Sequence, residues 1–168
     1  MNLDKVFQLG LYTAVLSLTL NSGCAQEDTQ FVSRKITIEE KIYNYQVFVP
    51  QNWESKEKWP VVVFLHGAGE RGEDGISPTK EGIGPVIKKA SHDFPAIVIF
   101  PQCQRGRWWT HPEMEFLVLQ SLEKSISDFN GDSRKVFLTG MSMGGYGTWY
   151  LAAKYPKKFA AIAPICGG

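Results

Sequence analysis

The chain has 168 residues, 43% of them hydrophobic and 12% aromatic, a composition that excludes a disordered or low-complexity polypeptide and fits one globular domain. Eighteen Lys and Arg face seventeen Asp and Glu. That near-neutral balance, with no long block of one sign, offers no electrostatic footing for nucleic acid as a partner.

The amino terminus does not read as fold. Lys5 precedes an apolar stretch from Leu9 to Leu20, and Asn21-Ser22-Gly23-Cys24-Ala25 follows. The stretch is too short to span a bilayer comfortably and has the layout of a secretory signal. Residues 1–25 are therefore expected to be a leader and residues 26–168 the folded domain. Small residues directly before Cys24 resemble a bacterial lipobox, although Asn21 departs from its usual aliphatic residue. Lipid on Cys24 would tether the protein to the cell envelope and be its one link to a membrane. Cleavage after Ala25 is the competing reading, and it gives a secreted protein without an anchor.

Alternation begins at Phe31 and runs through Ile36 and Ile38; a second β-type run, Ile42 to Val49, ends at Pro50. The two predict an antiparallel pair at a sheet edge. Val61 to Leu65 is a continuous apolar run, as a strand buried on both faces requires. It ends in a Gly-rich charged loop, His66 to Gly75. A short helix is expected around Val86 to Ala90, then a buried strand, Ala96 to Phe100, closed by Pro101. The loop 102–112 carries Arg105, Arg107, Trp108, Trp109 and His111. Met114, Leu117, Val118, Ser121, Leu122, Ser125 and Phe129 then recur at helical spacing. Asp132 is expected in the turn before a strand at Val136 to Leu138. A helix from Tyr146 to Tyr155 and a strand from Phe159 to Ile165 complete the pattern. Strands alternating with helices predict an α/β architecture around a mainly parallel sheet with an antiparallel amino-terminal edge.

Gly140-Met141-Ser142-Met143-Gly144 joins the fifth strand to the following helix, the arrangement of a nucleophile elbow. Ser142 would hold a strained backbone at the top of the sheet, flanked by glycines because a Cβ at either place would strike the neighbouring strand or helix. A serine so placed can attack an acyl carbonyl, given a base for its proton and donors for the oxyanion. One donor would be the N–H of Met143. The other would come from the loop after His66, at Ala68 or the adjacent Gly67. None of the three histidines has a metal-ligand spacing to another, and the chemistry calls for no cofactor.

Leu65-His66-Gly67-Ala68-Gly69-Glu70-Arg71-Gly72, Phe100-Pro101-Gln102-Cys103 with Trp109 downstream, Leu138 to Trp149 and Ala163 to Gly168 together resemble the α/β-hydrolase superfamily. Within it the sequence is most similar to secreted carboxylesterases related to the polyhydroxybutyrate depolymerase, feruloyl esterase and phospholipase/carboxylesterase groups. The resemblance spans Ile36 to Gly168. It implies Ser142 as nucleophile, Ala68 and Met143 as the oxyanion hole, and small-molecule or polymeric esters as substrates. It also implies substrate contacts from the loops 69–75 and 102–111, with Glu70, Arg71, Trp109 and His111 as candidates. For Trp108 and Trp109 core and rim packing is the favoured reading over a substrate contact, and His66 suits orientation of backbone rather than proton transfer.

The family's chain order is Ser, then Asp, then His, yet no His follows Ser142. The sequence is therefore expected to be the amino-terminal part of a longer enzyme, lacking the last strands and weak or inactive alone. A serine peptidase of the prolyl-oligopeptidase type, or a non-catalytic hydrolase-fold remnant that binds a ligand, are the alternatives. Cys103 and Cys166 follow the fourth and sixth strands, roughly 14 Å apart at three strand spacings, and are expected to be separate core residues rather than a disulfide.

Overall fold

The computed structural model describes residues 30–51, 53–55 and 57–167. The leader 1–25, Cys24 included, lies outside the described residues. Six strands form one mixed sheet in the order β1-β2-β4-β3-β5-β6. They are β1 (Phe31–Ile38), β2 (Lys41–Phe48), β3 (Trp59–Leu65), β4 (Ile97–Pro101), β5 (Gly131–Met141) and β6 (Ala161–Ile165). Three α-helices cross between them: α1 (Ile83–Lys89), α2 (Pro112–Asp128) and α3 (Met143–Lys154). β3 pairs in parallel with β4 and β5, and β5 with β6, while β1 and β2 pair antiparallel. This is the expected α/β-hydrolase arrangement, antiparallel edge included.

Register decides which loops meet. β2 runs antiparallel to β4 with Tyr45 opposite Pro101 and Phe48 opposite Val98, so β2 begins at the carboxyl end of the parallel strands. The β1–β2 turn, where Glu39 and Glu40 both take positive φ as a two-residue hairpin of this hand requires, therefore stands at the same end as the loops after β3, β4 and β5.

Alternation along the strands divides the core. Val61, Val63, Leu65, Ile97, Ile99, Val136 and Leu138 pack with Leu117, Val118 and Leu122 of α2 and Leu151 of α3. Phe48, Phe64, Val98 and Phe100 form a separate cluster with Ile87 of α1 on the other face. Central strands covered on both faces need apolar residues at every position, which is why β3 and β4 read as unbroken runs.

Two expectations are corrected. Asp132 does not precede β5 but lies within it, because β5 starts at Gly131 opposite Trp59 and resumes register only at Val136 opposite Val61. The intervening Asp132–Lys135 segment faces Pro60, which has no N–H to give a ladder. Cys166 is not a core residue: it is exposed beyond β6, whereas Cys103 is buried, and both are free.

α2 and α3 are tied by one carboxylate. Glu115, 7% exposed, accepts from Tyr150 Oη at 2.9 Å, Lys154 Nζ at 2.8 Å and Tyr155 Oη. Burial by itself raises this carboxyl's pKa, but the bonds from Lys154, Tyr155 and Tyr150 outweigh it and hold the group below its ordinary 4.5. The stabilisation is thus complete above the ordinary carboxyl range and is lost as pH falls through the lowered value. Glu115→Gln is expected to lower unfolding stability near neutral pH by about 1–3 kcal/mol, a gap that narrows on acidification; urea titrations across pH check it.

Candidate active site

Ser142 joins β5 to α3 with φ 54° and ψ −115°, a conformation an L-residue holds only when its surroundings enforce it. Its N–H donates to Ile165 O of β6 at 2.8 Å, and its carbonyl accepts from Gly145 N at 2.8 Å and Tyr146 N at 3.2 Å. The flanking glycines are obligatory. A Cβ on Gly140 would overlap the Gly144 carbonyl, and one on Gly144 would overlap Leu65 O at the end of β3. The Ser142 side chain stands exposed at the top of this turn.

The loop after β3 closes against it. A Cβ on Gly67 would lie 3.7 Å from Met141 O and 3.9 Å from Ser142 Cβ. His66 holds the loop from beneath: it is fully buried, and its Nε2 accepts from Cys103 N–H at 2.9 Å. A backbone N–H can only donate, so the ring proton sits on Nδ1, which donates to Gly67 O at 2.6 Å. In a trans peptide the N–H points opposite the C=O. Drawing the Gly67 carbonyl inward toward His66 thus turns the Ala68 N–H outward. Among the described residues, neither this N–H nor that of Met143, the first of α3, has an acceptor in the protein.

Behind the loop, Gln102 does work that the sequence did not reveal. Its Nε2 donates to Glu70 O at 2.9 Å and its Oε1 accepts from Gly75 N at 2.6 Å, while Gly72 N donates to Cys103 O at 3.0 Å. Residues 70–75 are thereby stitched to the start of the loop after β4. Arg71 stacks on Trp108, 5.2 Å from the ring centre. Burial pushes the Cys103 thiol up to about 11, so it is an inert core group despite the nearby Arg71.

Trp109 is a correction. It takes the core place of the packing pair and not the substrate contact that the resemblance implied: it is fully buried, its indole N–H donates to His66 O at 3.0 Å, and its ring packs edge-on to His66 at 4.9 Å. Trp108, 51% exposed, takes the rim. His111 stands apart from the elbow. It caps α2, accepting at Nδ1 from Glu113 N at 3.3 Å, and lines a 740 Å³ cleft with Thr37, Ile38, Glu39, Pro112, Glu113 and Phe116. No residue of the elbow lines that cleft. His92, by contrast, is solvated as expected, 3.2 Å from Gln51 Oε1.

A more polar cleft of 630 Å³ opens between the loops after β3 and β4, lined by Glu73, Asp74, Gln104, Arg105, Arg107 and Lys41 among others. Glu113 organises its rim, accepting from Tyr43 Oη and lying 3.7 Å from both Lys41 and Arg107. The Tyr43 bond foremost, helped by the two cations against partial burial, holds the Glu113 carboxyl below its usual range. Among the described residues no three His, Cys, Asp or Glu side chains converge as a metal site would require.

The sequence profile of the Esterase family matches residues 37–167. The chain belongs to this family. Poly(3-hydroxyalkanoate) depolymerase C of Paucimonas lemoignei is similar to it, 31% identical over 65% of this chain and 28% of that protein. Feruloyl esterase B of Thermothelomyces thermophilus is 27% identical over 92% of this chain and 52% of its own length. The crystal structure of a thermostable esterase superposes with a TM-score of 0.70 at 31% identity, over 83% of this chain and 41% of the other. The match thus spans about half, or less, of the length of these relatives.

Within this esterase frame His66 titrates far from its ordinary value. Burial first, then Arg71, lower its pKa from 6.5 to about 4 against the opposing pull of the Gly67 bond. The unfolded chain binds a proton between those values and the folded chain does not, so stability falls as pH drops from 6.5 to 4. The expected loss across that window is up to about 3 kcal/mol, and denaturant titrations should show a shallower slope for His66→Asn. Imidazole NMR should find His66 neutral, protonated at Nδ1, at neutral pH.

Proposed function

We propose that the chain carries the nucleophile and oxyanion elements of a serine hydrolase that cleaves carboxylic esters through an acyl-enzyme at Ser142. One observation supports this most: a serine held at φ 54° directly against Gly67, with the Ala68 and Met143 N–H groups left without acceptors among the described residues. Ser142 Oγ attacks the ester carbonyl, the two N–H groups hold the resulting oxyanion, the alcohol leaves, and water releases the acid. Membership of the Esterase family supports the same reaction class.

The base must come from elsewhere. His66 is buried and committed at both ring nitrogens, His92 bonds Gln51, and His111 caps α2. A His and its acidic partner supplied from outside the described residues complete the site, and residues 30–167 alone are a weak catalyst. In the full-length gene product, Ser142→Ala should abolish fluorophosphonate labelling and lower kcat/KM on 4-nitrophenyl acetate by at least about 10³-fold, with KM little changed. Retention of either signal in the variant would refute the assignment.

We further propose that Cys24 is lipidated and tethers the enzyme to the bacterial envelope, on the strength of the apolar segment and small residues before it. A relative from Arthroderma benhamiae, 30% identical over 69% of this chain, is described as a secreted protein, consistent with export. Radiolabelled palmitate should enter the wild-type chain and not Cys24→Ala; labelling of neither would leave plain secretion, and equal labelling of both would refute Cys24 as the lipidated residue.

A further inference from the structure

Glu70 occupies an unusual place for a charge. A Cβ on Gly67 would lie 3.2 Å from Glu70 Oε2 and 3.9 Å from Ser142 Cβ, so carboxylate and serine flank the same glycine. The position is built into the backbone, since the Glu70 carbonyl is held by the nearly buried Gln102 side chain, which also grips Gly75 N. The adjacent cation does not neutralise it, because the Arg71 guanidinium is stacked on Trp108. Among the described residues the Glu70 carboxylate has neither an ion-pair partner nor a hydrogen-bond donor.

An unpaired carboxylate beside an oxyanion loop opposes the charge that develops there, because like charges repel, an effect that solvent at the exposed Ser142 weakens but does not reverse. The opposition turns to advantage when the substrate itself places a donor against the carboxylate. We propose that Glu70 determines specificity: it selects esters bearing a hydroxyl or ammonium group next to the scissile carbonyl and rejects those bearing an acid there. This inference rests on Ser142 being the nucleophile. A bond to a charged acceptor discriminates by about tenfold or more, and the unpaired alternative is penalised besides.

The test uses the full-length protein and four matched ethyl esters, of propanoic, 2-hydroxypropanoic and 2-aminopropanoic acids and the monoester of malonic acid, followed by pH-stat near neutrality. The wild type should prefer the hydroxyl and ammonium esters to the plain ester about tenfold and disfavour the malonate. Glu70→Gln should cost the ammonium ester about tenfold, raise the malonate by a similar factor and raise the plain ester a few-fold, while an amide oxygen retains part of the hydroxyl preference. Glu70→Ala should remove both preferences. Thermal melts of each variant matching the wild type exclude misfolding as the cause. An unchanged ranking, or an equal fall on all four esters, overturns the role given to Glu70. Ser142→Ala separates the two levels: if it spares hydrolysis, the nucleophile reading fails and this inference with it, whereas a wild type that hydrolyses none of the four overturns the inference about Glu70. If Ser142→Ala abolishes hydrolysis and the Glu70 variants keep the ranking, only the inference about Glu70 falls.

Discussion

The contact on which the rest depends is the crossing of α3 over the end of β3. Gly144, in the first turn of the helix, approaches so closely that any Cβ would overlap the Leu65 carbonyl. That approach sets the loop after β3 against the start of α3 and brings Gly67 against Ser142. The strain at Ser142, on the order of 1–3 kcal/mol for such a backbone, is held by bonds to β6 on one side and to the first turn of α3 on the other. Elbow and loop are consequently one steric unit, and neither can relax without the other.

His66 extends that unit inward. Its two ring nitrogens join the carbonyl of Gly67 to the amide of Cys103, so the loop after β3 is registered on the loop after β4. Trp109 caps the arrangement by binding the His66 carbonyl. Two further carboxylates in the first turn of α2 have opposite destinations. Glu113 gathers Lys41, Tyr43 and Arg107 at the cleft rim, and Glu115 reaches to the far half of α3. One rigid helix thereby links the cleft rim to the helix that begins at the candidate nucleophile.

Much of this was legible because steric demands leave marks on sequence. Gly140 and Gly144 are glycines for want of room, and the double-sided burial of β3 and β4 shows as unbroken apolar runs. The edge hairpin shows as alternation. What the sequence concealed turns on orientation. Trp108 and Trp109 are adjacent and chemically alike, yet one lies on the rim and the other in the core, a choice made by the loop's path and invisible in composition. His111 carries a local signal, standing before Pro112 and Glu113 in a helix-start pattern, and it caps α2. The Gln102 bridges and the Glu115 hub join residues far apart in sequence, so no spacing could have announced them. The spacing that rules out a disulfide says nothing about burial, and at Cys166 the chain turns outward with φ 50°.

The irregularity where Asp132–Lys135 faces Pro60 bears on how such a domain can vary. It sits at the amino end of the parallel strands, the opposite pole of the sheet from Ser142. Ser133, Arg134 and Lys135 are already exposed there, and the ladder is already interrupted. Lengthening or grafting at that point would add chain where no pairing remains to be broken, leaving the strained elbow on the other pole untouched. The fold thus keeps a tolerant end and an intolerant one, divided by the length of a single strand.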